Sequence, residues 1–246
     1  MKLHLGKSKT AVDYHNEVAS EFDAKYTSSY SFIERLTVWK YILAENKIKG
    51  RVLDLGCGSG TLSLYLANLH EIKEVIGLDG STEMIDICLE KKKKGNIGKA
   101  SFYVEQFPQV DLSKFGHFDL IVASSSLEYV EDLEGFLVKI NNVLKENGTL
   151  VVSLPNRSSF VRKLEKRLYK YFRRFEYFKH VKNLYTRREF EGILERRRFS
   201  LKETYFDGKI KIVNNYLRFL PKTFTYTMII YVATKTGVNE TNTSIL

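Results

Sequence analysis

The stretch Arg51-Val52-Leu53-Asp54-Leu55-Gly56-Cys57-Gly58-Ser59-Gly60 constrains the fold more than any other part of the chain. Val52, Leu53 and Leu55 surround an acid, Asp54, in a short apolar run that reads as a buried strand. Three glycines at alternate positions then end it. Thr61 to Leu69 carries apolar residues at helical spacing, so the glycines are predicted to form a strand-to-helix turn. Glycine accepts positive φ and lets a ligand lie against the backbone with no Cβ in the way. The first turn of the following helix leaves unpaired N–H groups at the same place. A second apolar strand, Glu74 to Leu78, ends in Asp79. An acid at the end of the second strand, about 20 residues past a glycine turn, is where nucleotide-type folds hold a ribose diol. Together these features predict a site for a ligand that carries an adenosine.

The spacing narrows the ligand. Gly56-x-Gly58-x-Gly60 is not the G-x-G-x-x-G of dinucleotide enzymes, and no Gly-Lys-Ser/Thr follows to grip a triphosphate. The stretch resembles the first motif of the class I S-adenosylmethionine-dependent methyltransferases, hh-D/E-h-G-x-G-x-G, which Val52 to Gly60 matches throughout. Three further stretches resemble that family, in its quinone-methylase-like small-molecule branch. They are Asp13-Tyr14-His15 with Phe22-Asp23 and Tyr26, Phe118 to Val130, and Thr149 to Arg157. The resemblance covers residues 10–156 well and 185–235 more loosely. It implies S-adenosyl-L-methionine as cofactor, held by Asp54, Gly56, Cys57, Gly58, Gly60, Asp79, Gly80, Ser81 and Ser124. It also implies Met84 packing on the adenine, Glu105 or Gln106 with Phe107 near its amino group, and Tyr14 or Tyr26 covering the cofactor.

One departure bears on mechanism: Tyr129 stands in Leu127-Glu128-Tyr129-Val130 where the family commonly has His. A phenol with an ordinary pKa of ~10 is a poor base at neutral pH. If the acceptor must lose a proton, the candidates to take it are His15, Glu128, Tyr129 and His180.

The pattern predicts helices over 10–27 and 32–45, then alternating strands and helices. Strands fall at 51–55, 74–78, 101–104, 118–123 and 149–154, and helices at 60–69, 82–92 and 132–145. Two more strands, Ser200 to Phe206 and Thr225 to Ala233, complete a seven-stranded, mostly parallel, Rossmann-like α/β sheet with helices on both faces. The 246 residues read as a single domain. Its parts are an N-terminal helical segment at 10–46, a cofactor-binding core at 51–154, an insertion at 157–184, the rest of the sheet at 185–235, and a loose tail at 236–246.

Charge singles out the insertion. Of the 39 Lys and Arg, 15 lie between Arg157 and Arg198 against 5 Glu, while the remainder of the chain balances at 24 of each sign. The net charge of +10 therefore resides in one segment. Phe160, Leu164, Leu168 and Phe172 recur every four residues there, widened by Val161, Tyr171 and Phe175 and flanked by arginines and lysines. The first expectation is a cap whose stripe closes over the acceptor, with Arg157, Arg162 or His180 meeting an acidic group. The second is a membrane-surface helix over 160–175. The third is a nucleic-acid patch, set lower because no recognised RNA-binding module accompanies the charge. The run Lys91 to Lys94 reads as a solvated helix end.

Two cysteines are too few for a disulfide framework, and no Cys/His spacing suits a metal. Without a leader-like N-terminus or a run of 18 apolar residues, a soluble cytoplasmic protein is expected. The function expected is in-line methyl transfer to an oxygen or nitrogen of a small apolar or acidic metabolite. The alternatives are methylation of RNA or another nucleic acid through residues 157–198, and a non-catalytic partner protein that binds S-adenosylmethionine.

Overall fold

The computed structural model describes residues 10–168, 171, 177–208 and 220–236. Phe172 and Phe175 of the expected stripe, the cations Lys170, Arg173 and Arg174, and residues 237–246 of the expected tail lie outside them. The strands are β1 (Gly50–Leu55), β2 (Ile72–Asp79), β3 (Ala100–Val104), β4 (Phe118–Ser124), β5 (Leu144–Pro155), β6 (Phe199–Asp207) and β7 (Met228–Lys235). They form one 7-stranded sheet in the order β3-β2-β1-β4-β5-β7-β6. β1 to β5 pair in parallel, and β7 is antiparallel to both of its neighbours. The chain steps outward from β1 to β3 and then returns to β4. That reversal opens a crevice at the carboxyl ends of β1 and β4, where α/β sheets bind ligands.

The helices are α1 (Ala11–Ser28), α2 (Tyr30–Glu45), α3 (Thr61–Ala67), α4 (Thr82–Lys94), α5 (Leu133–Val143), α6 (Phe160–Leu168) and α7 (Arg187–Arg196). Side chains alternate across β1, as the period of two requires. Leu53 and Leu55 join Phe136, Leu137 and Phe190 in one core layer, and Val52 joins Trp39, Ile42, Leu66 and Ile85 in the other. Helices α5 and α7 therefore cover one face, and α2, α3 and α4 the other. Each of these large side chains contributes roughly 1.5–3 kcal/mol by burial.

Local chemistry sets the ends of α1 and α4. Thr10 Oγ1 accepts the Asp13 N–H at 3.1 Å while the Asp13 carboxylate accepts the Thr10 N–H at 2.8 Å, a capping box. Lys91 corrects the solvated-run reading. It pairs with Asp23 of α1 and donates to the Ser59 carbonyl at 3.2 Å, tying α4 and α1 to the glycine turn.

Most element ends lie within two residues of the sequence expectation, and the starts of β5 and β7 depart further. The helix expected over 132–145 stops at Val143, because buried Leu144 already pairs with Phe118 in the sheet. The last strand begins at Met228 rather than Thr225, since Lys222–Thr225 forms a helical turn after Pro221.

The insertion departs most. Phe160 is 49% exposed and Leu164 45% exposed, while Val161 and Arg162 are buried. The Arg162 Nε donates to the Thr227 carbonyl at 3.0 Å and its Nη1 to the Glu165 carboxylate at 2.9 Å. That anchorage next to β7 rotates the expected cap stripe outward, away from the crevice.

Candidate active site

A cavity of about 770 Å³ lies at the carboxyl ends of β1, β2 and β4, bounded by α1 and by the end of the insertion. Its first wall is the glycine turn. The N–H groups of Gly56 and Cys57 both donate to the Leu78 carbonyl, at 2.7 and 3.0 Å, which fixes the turn to the end of β2. Gly58 has φ of +52°, and a Cβ built on it meets nothing nearer than the Phe22 ring at 3.7 Å. Its backbone therefore borders open space. Asp79 Oδ2 accepts the Gly58 N–H and Oδ1 accepts the Ser81 N–H, both at 2.9 Å. Burial pushes this carboxyl up from its ordinary range, and the Ser81 and Gly58 N–H groups pull against that. Behind it, Asp54 accepts the Ser63 hydroxyl at 2.6 Å. Burial pushes Asp54 up to about 7 in spite of that bond. The Cys57 thiol is likewise pushed up by burial and by its neighbour Cys88.

The second wall joins three separate segments. His15 lies on α1, with Nδ1 at 2.7 Å from the Ala11 carbonyl. A carbonyl only accepts, so Nδ1 carries the hydrogen and Nε2 holds the free lone pair of the neutral ring. The His15 and Tyr129 rings meet edge-on at 5.2 Å, and Tyr14 lies 5.3 Å from the His15 ring and 5.6 Å from that of His180. Burial, and then the neighbouring Glu128, push the Tyr129 phenol well above its ordinary value. Tyr129 is thus a hydrogen-bond donor and not a base. The backbone carbonyl of Glu128 accepts the N–H groups of Lys182 at 2.8 Å and Asn183 at 3.0 Å. Asn183 Nδ2 also donates to the carbonyls of Leu127 at 2.8 Å and Val130 at 2.6 Å. One buried amide thereby fastens the insertion to the turn that carries Tyr129.

Of the residues expected at the cofactor, Asp54, Gly56, Cys57, Gly58, Asp79, Gly80, Met84, Gln106, Phe107 and Ser124 line the cavity. Tyr14, Gly60, Ser81 and Glu105 are not on its wall. Tyr14 turns to the rings of His15 and His180, and Gly60 backs onto Cys88. The Ser81 hydroxyl caps α4 by accepting the Met84 N–H at 3.1 Å, and Glu105 pairs with Lys114. Of the candidate proton acceptors, His15, Tyr129 and His180 line the cavity and Glu128 does not. Glu128 is buried behind the wall, pushed up to about 7 by burial, and its Oε2 finds no hydrogen-bond partner among the described residues. Arg157, paired with Glu189, and the anchored Arg162 are also off the wall. Sequence reasoning gave no site role to Phe22, Gln109, Lys179 or Lys182, which also line the cavity. His15, Phe22 and Tyr26 share one helical face, a spacing that signals a common wall. Lys179 and Lys182 carry no such signal.

Residues 46–198, more than half of the chain, match the family model described as methyltransferase domain. Carboxy-S-adenosyl-L-methionine synthase of Campylobacter jejuni is 29% identical over 161 residues, which is 62% of this chain and 66% of that protein. Malonyl-[acyl-carrier protein] O-methyltransferase of Bacillus cytotoxicus is 23% identical over 181 residues, 70% of this chain and 60% of that protein. The chain thus spans under two thirds of the length of these curated relatives. The crystal structure of magnesium protoporphyrin IX methyltransferase from Synechocystis PCC 6803 with bound S-adenosylhomocysteine superposes with a TM-score of 0.67. It covers 92% of this chain and 97% of that one at 17% identity, a likeness of fold.

The first wall fits the cofactor of that family. A side-chain-free backbone at Gly58 borders the cavity, and the Asp79 carboxylate is held at a strand end by two main-chain donors. Met84 and Phe107 add apolar surface beside the polar Gln106. A family match over more than half of the chain, seated on such a wall, leads to one assignment: the chain belongs to the class I S-adenosylmethionine-dependent methyltransferases.

Proposed function

We propose that the chain methylates a small-molecule acceptor at an oxygen or nitrogen that must lose a proton, with His15 taking that proton. The observation that carries this reading is the Nδ1 bond of His15 to the Ala11 carbonyl, on a residue that lines the cavity: it sets the tautomer of the neutral ring in which Nε2 can take a proton. Bound S-adenosylmethionine supplies a methyl carbon made electrophilic by its positive sulfur. Asp79 and the Gly58 backbone would hold its ribose, and Met84, Gln106 and Phe107 its adenine. His15 Nε2 accepts the proton of the acceptor O–H or N–H, a contribution of typically 10²–10⁴ in rate. The Tyr129 hydroxyl, kept protonated by burial, donates to the acceptor and orients it. Lys179 and His180 add donors on the same wall, which suits a carboxylate or phenol on the acceptor. Residues of α1 with Lys179, His180 and Lys182 border the cavity, and alignment of the acceptor there supplies much of the remaining acceleration. The O-methyltransferase relative from Bacillus cytotoxicus supports an oxygen acceptor.

The test is methyl transfer from isotope-labelled S-adenosylmethionine to a panel of phenols, carboxylic acids and amines, read by mass spectrometry. The expected result is S-adenosylhomocysteine formed in step with one methylated compound. Cofactor altered with no methylated acceptor, as a synthase acting on the cofactor itself would leave it, contradicts the proposal. Label in added RNA alone contradicts it as well.

A further inference from the structure

The outward face of α6 inverts the usual sorting of side chains. A guanidinium, Arg162, is buried at 9% exposure, while Phe160 and Leu164 on the same helix stand in solvent. Burying a charge is costly, and single exposed apolar residues are ordinary, but these are not single. Phe160 and Leu164 are one helical turn apart on one side of α6. Phe224, 41% exposed on the turn Lys222–Thr225, stacks on Phe160 with centroids 6.4 Å apart and planes 11° apart. Two elements distant in sequence thus build one exposed apolar surface.

Cations ring it. Lys163 Nζ sits 6.0 Å from the Phe224 ring centroid, and Lys166 and Arg167 are exposed. Elsewhere in this basic segment, Arg157, Lys182, Arg187, Arg196 and Arg197 are each paired with a glutamate. No such pair neutralises Lys163, Lys166 or Arg167 among the described residues. The chain's whole surplus of positive charge lies between Arg157 and Arg198.

We infer that this face of α6, with Phe224, docks on the surface of an anionic lipid bilayer. Phe160, Leu164 and Phe224 enter the boundary between headgroups and acyl chains, and Lys163, Lys166 and Arg167 meet the lipid phosphates. No described helix is long and apolar enough to cross a membrane, so the contact is with the surface. A second copy of the chain fits poorly, because two such faces would set these lysines and arginines against one another. A single-stranded nucleic acid fits less well, because the exposed centre of this face is apolar rather than a basic groove. This inference stands apart from the choice of acceptor and from the role of His15.

The experiment is co-sedimentation of the full chain with vesicles of mixed phosphatidylcholine and phosphatidylglycerol, and with vesicles of phosphatidylcholine alone. Binding is expected to the mixed vesicles only and to weaken with added salt. The double variant Phe160→Ser/Leu164→Ser should lower the partition coefficient about tenfold or more. Lys166→Gln/Arg167→Gln should lower it about thirtyfold, at ~1 kcal/mol for each cation. Both variants should bind S-adenosylhomocysteine as the wild type does, which establishes that they fold. Equal partition into the two kinds of vesicle, or undiminished binding by both folded variants, overturns the inference. So does a dimer that the Phe160→Ser/Leu164→Ser change dissolves in the absence of vesicle binding.

Discussion

On the wall formed by the ends of β1 and β2, the main chain does most of the work. Gly56 and Cys57 bond to Leu78, and Gly58 and Ser81 bond to Asp79, all within two neighbouring loops. The wall that carries His15, Tyr129 and His180 is assembled instead from side chains of α1, the turn after β4 and the insertion. Asn183 and the Glu128 carbonyl hold those last two pieces together. A wall built from backbone in one short stretch tolerates change around it and depends on a few positions. One built from distant side chains allows its chemistry to be altered while the first wall stays intact. The two are therefore separable by substitution.

The largest separation is expected from His15→Gln. It removes the lone pair at Nε2 and should lower kcat for the identified acceptor by about 10²–10⁴, with S-adenosylhomocysteine affinity held within a few-fold. Steady-state kinetics beside calorimetry check this. A matched loss of cofactor affinity would place His15 in the first wall instead.

The next effect concerns pH. Asp54 and Glu128 are both pushed up to about 7 by burial, far above the ordinary carboxylate value near 4. The folded state thus holds protons that the unfolded state has released. Their contribution to stability is fully present below about pH 4 and is lost as pH rises through about 7. The cofactor-free protein should therefore melt at lower temperature at pH 8 than at pH 5, by several degrees. Asp54→Asn and Glu128→Gln should each flatten part of that fall. A melting temperature that rises across this range in the wild type would contradict the burial of these carboxyls in uncharged form.

A smaller effect is expected of Asn183→Ala. It leaves the Leu127 and Val130 carbonyls without their donor and should cost on the order of 1–3 kcal/mol of stability. It should also raise the acceptor KM more than it changes cofactor affinity. Denaturant unfolding together with kinetics would show this, and unchanged values of both would mean that the insertion is held by other contacts.

The same contrast explains what could be read in the sequence. The strands, the sheet and the first wall follow from apolar runs, glycine spacing and one acid at a strand end, all local signals. Most of the errors fall where distant partners decide. The periodicity of Phe160, Leu164 and Leu168 defines a stripe, but its direction depends on Arg162 meeting Thr227, 65 residues away. Lys91 reads as one of four solvated lysines until Asp23 and the Ser59 carbonyl are placed beside it. Glu105 and Gln106 are neighbours of similar polarity, yet Glu105 leaves the wall for Lys114 while Gln106 stays on it. Tyr14 and His15 differ by one helical position, and only His15 reaches the cavity.

The separability of the two walls is tested most directly by calorimetric titration of S-adenosylhomocysteine into four proteins: wild type, Gly58→Val, Asp79→Ala and His15→Gln. Wild type and His15→Gln should bind with similar affinity. Asp79→Ala should bind about a hundredfold weaker, because the ribose loses its acceptor and the Gly58 and Ser81 N–H groups lose their partner, and Gly58→Val should lose binding as its side chain enters the cavity. Equal affinity in all four folded proteins, or no binding by the wild type, would contradict the assignment of the glycine turn and Asp79 as the cofactor wall.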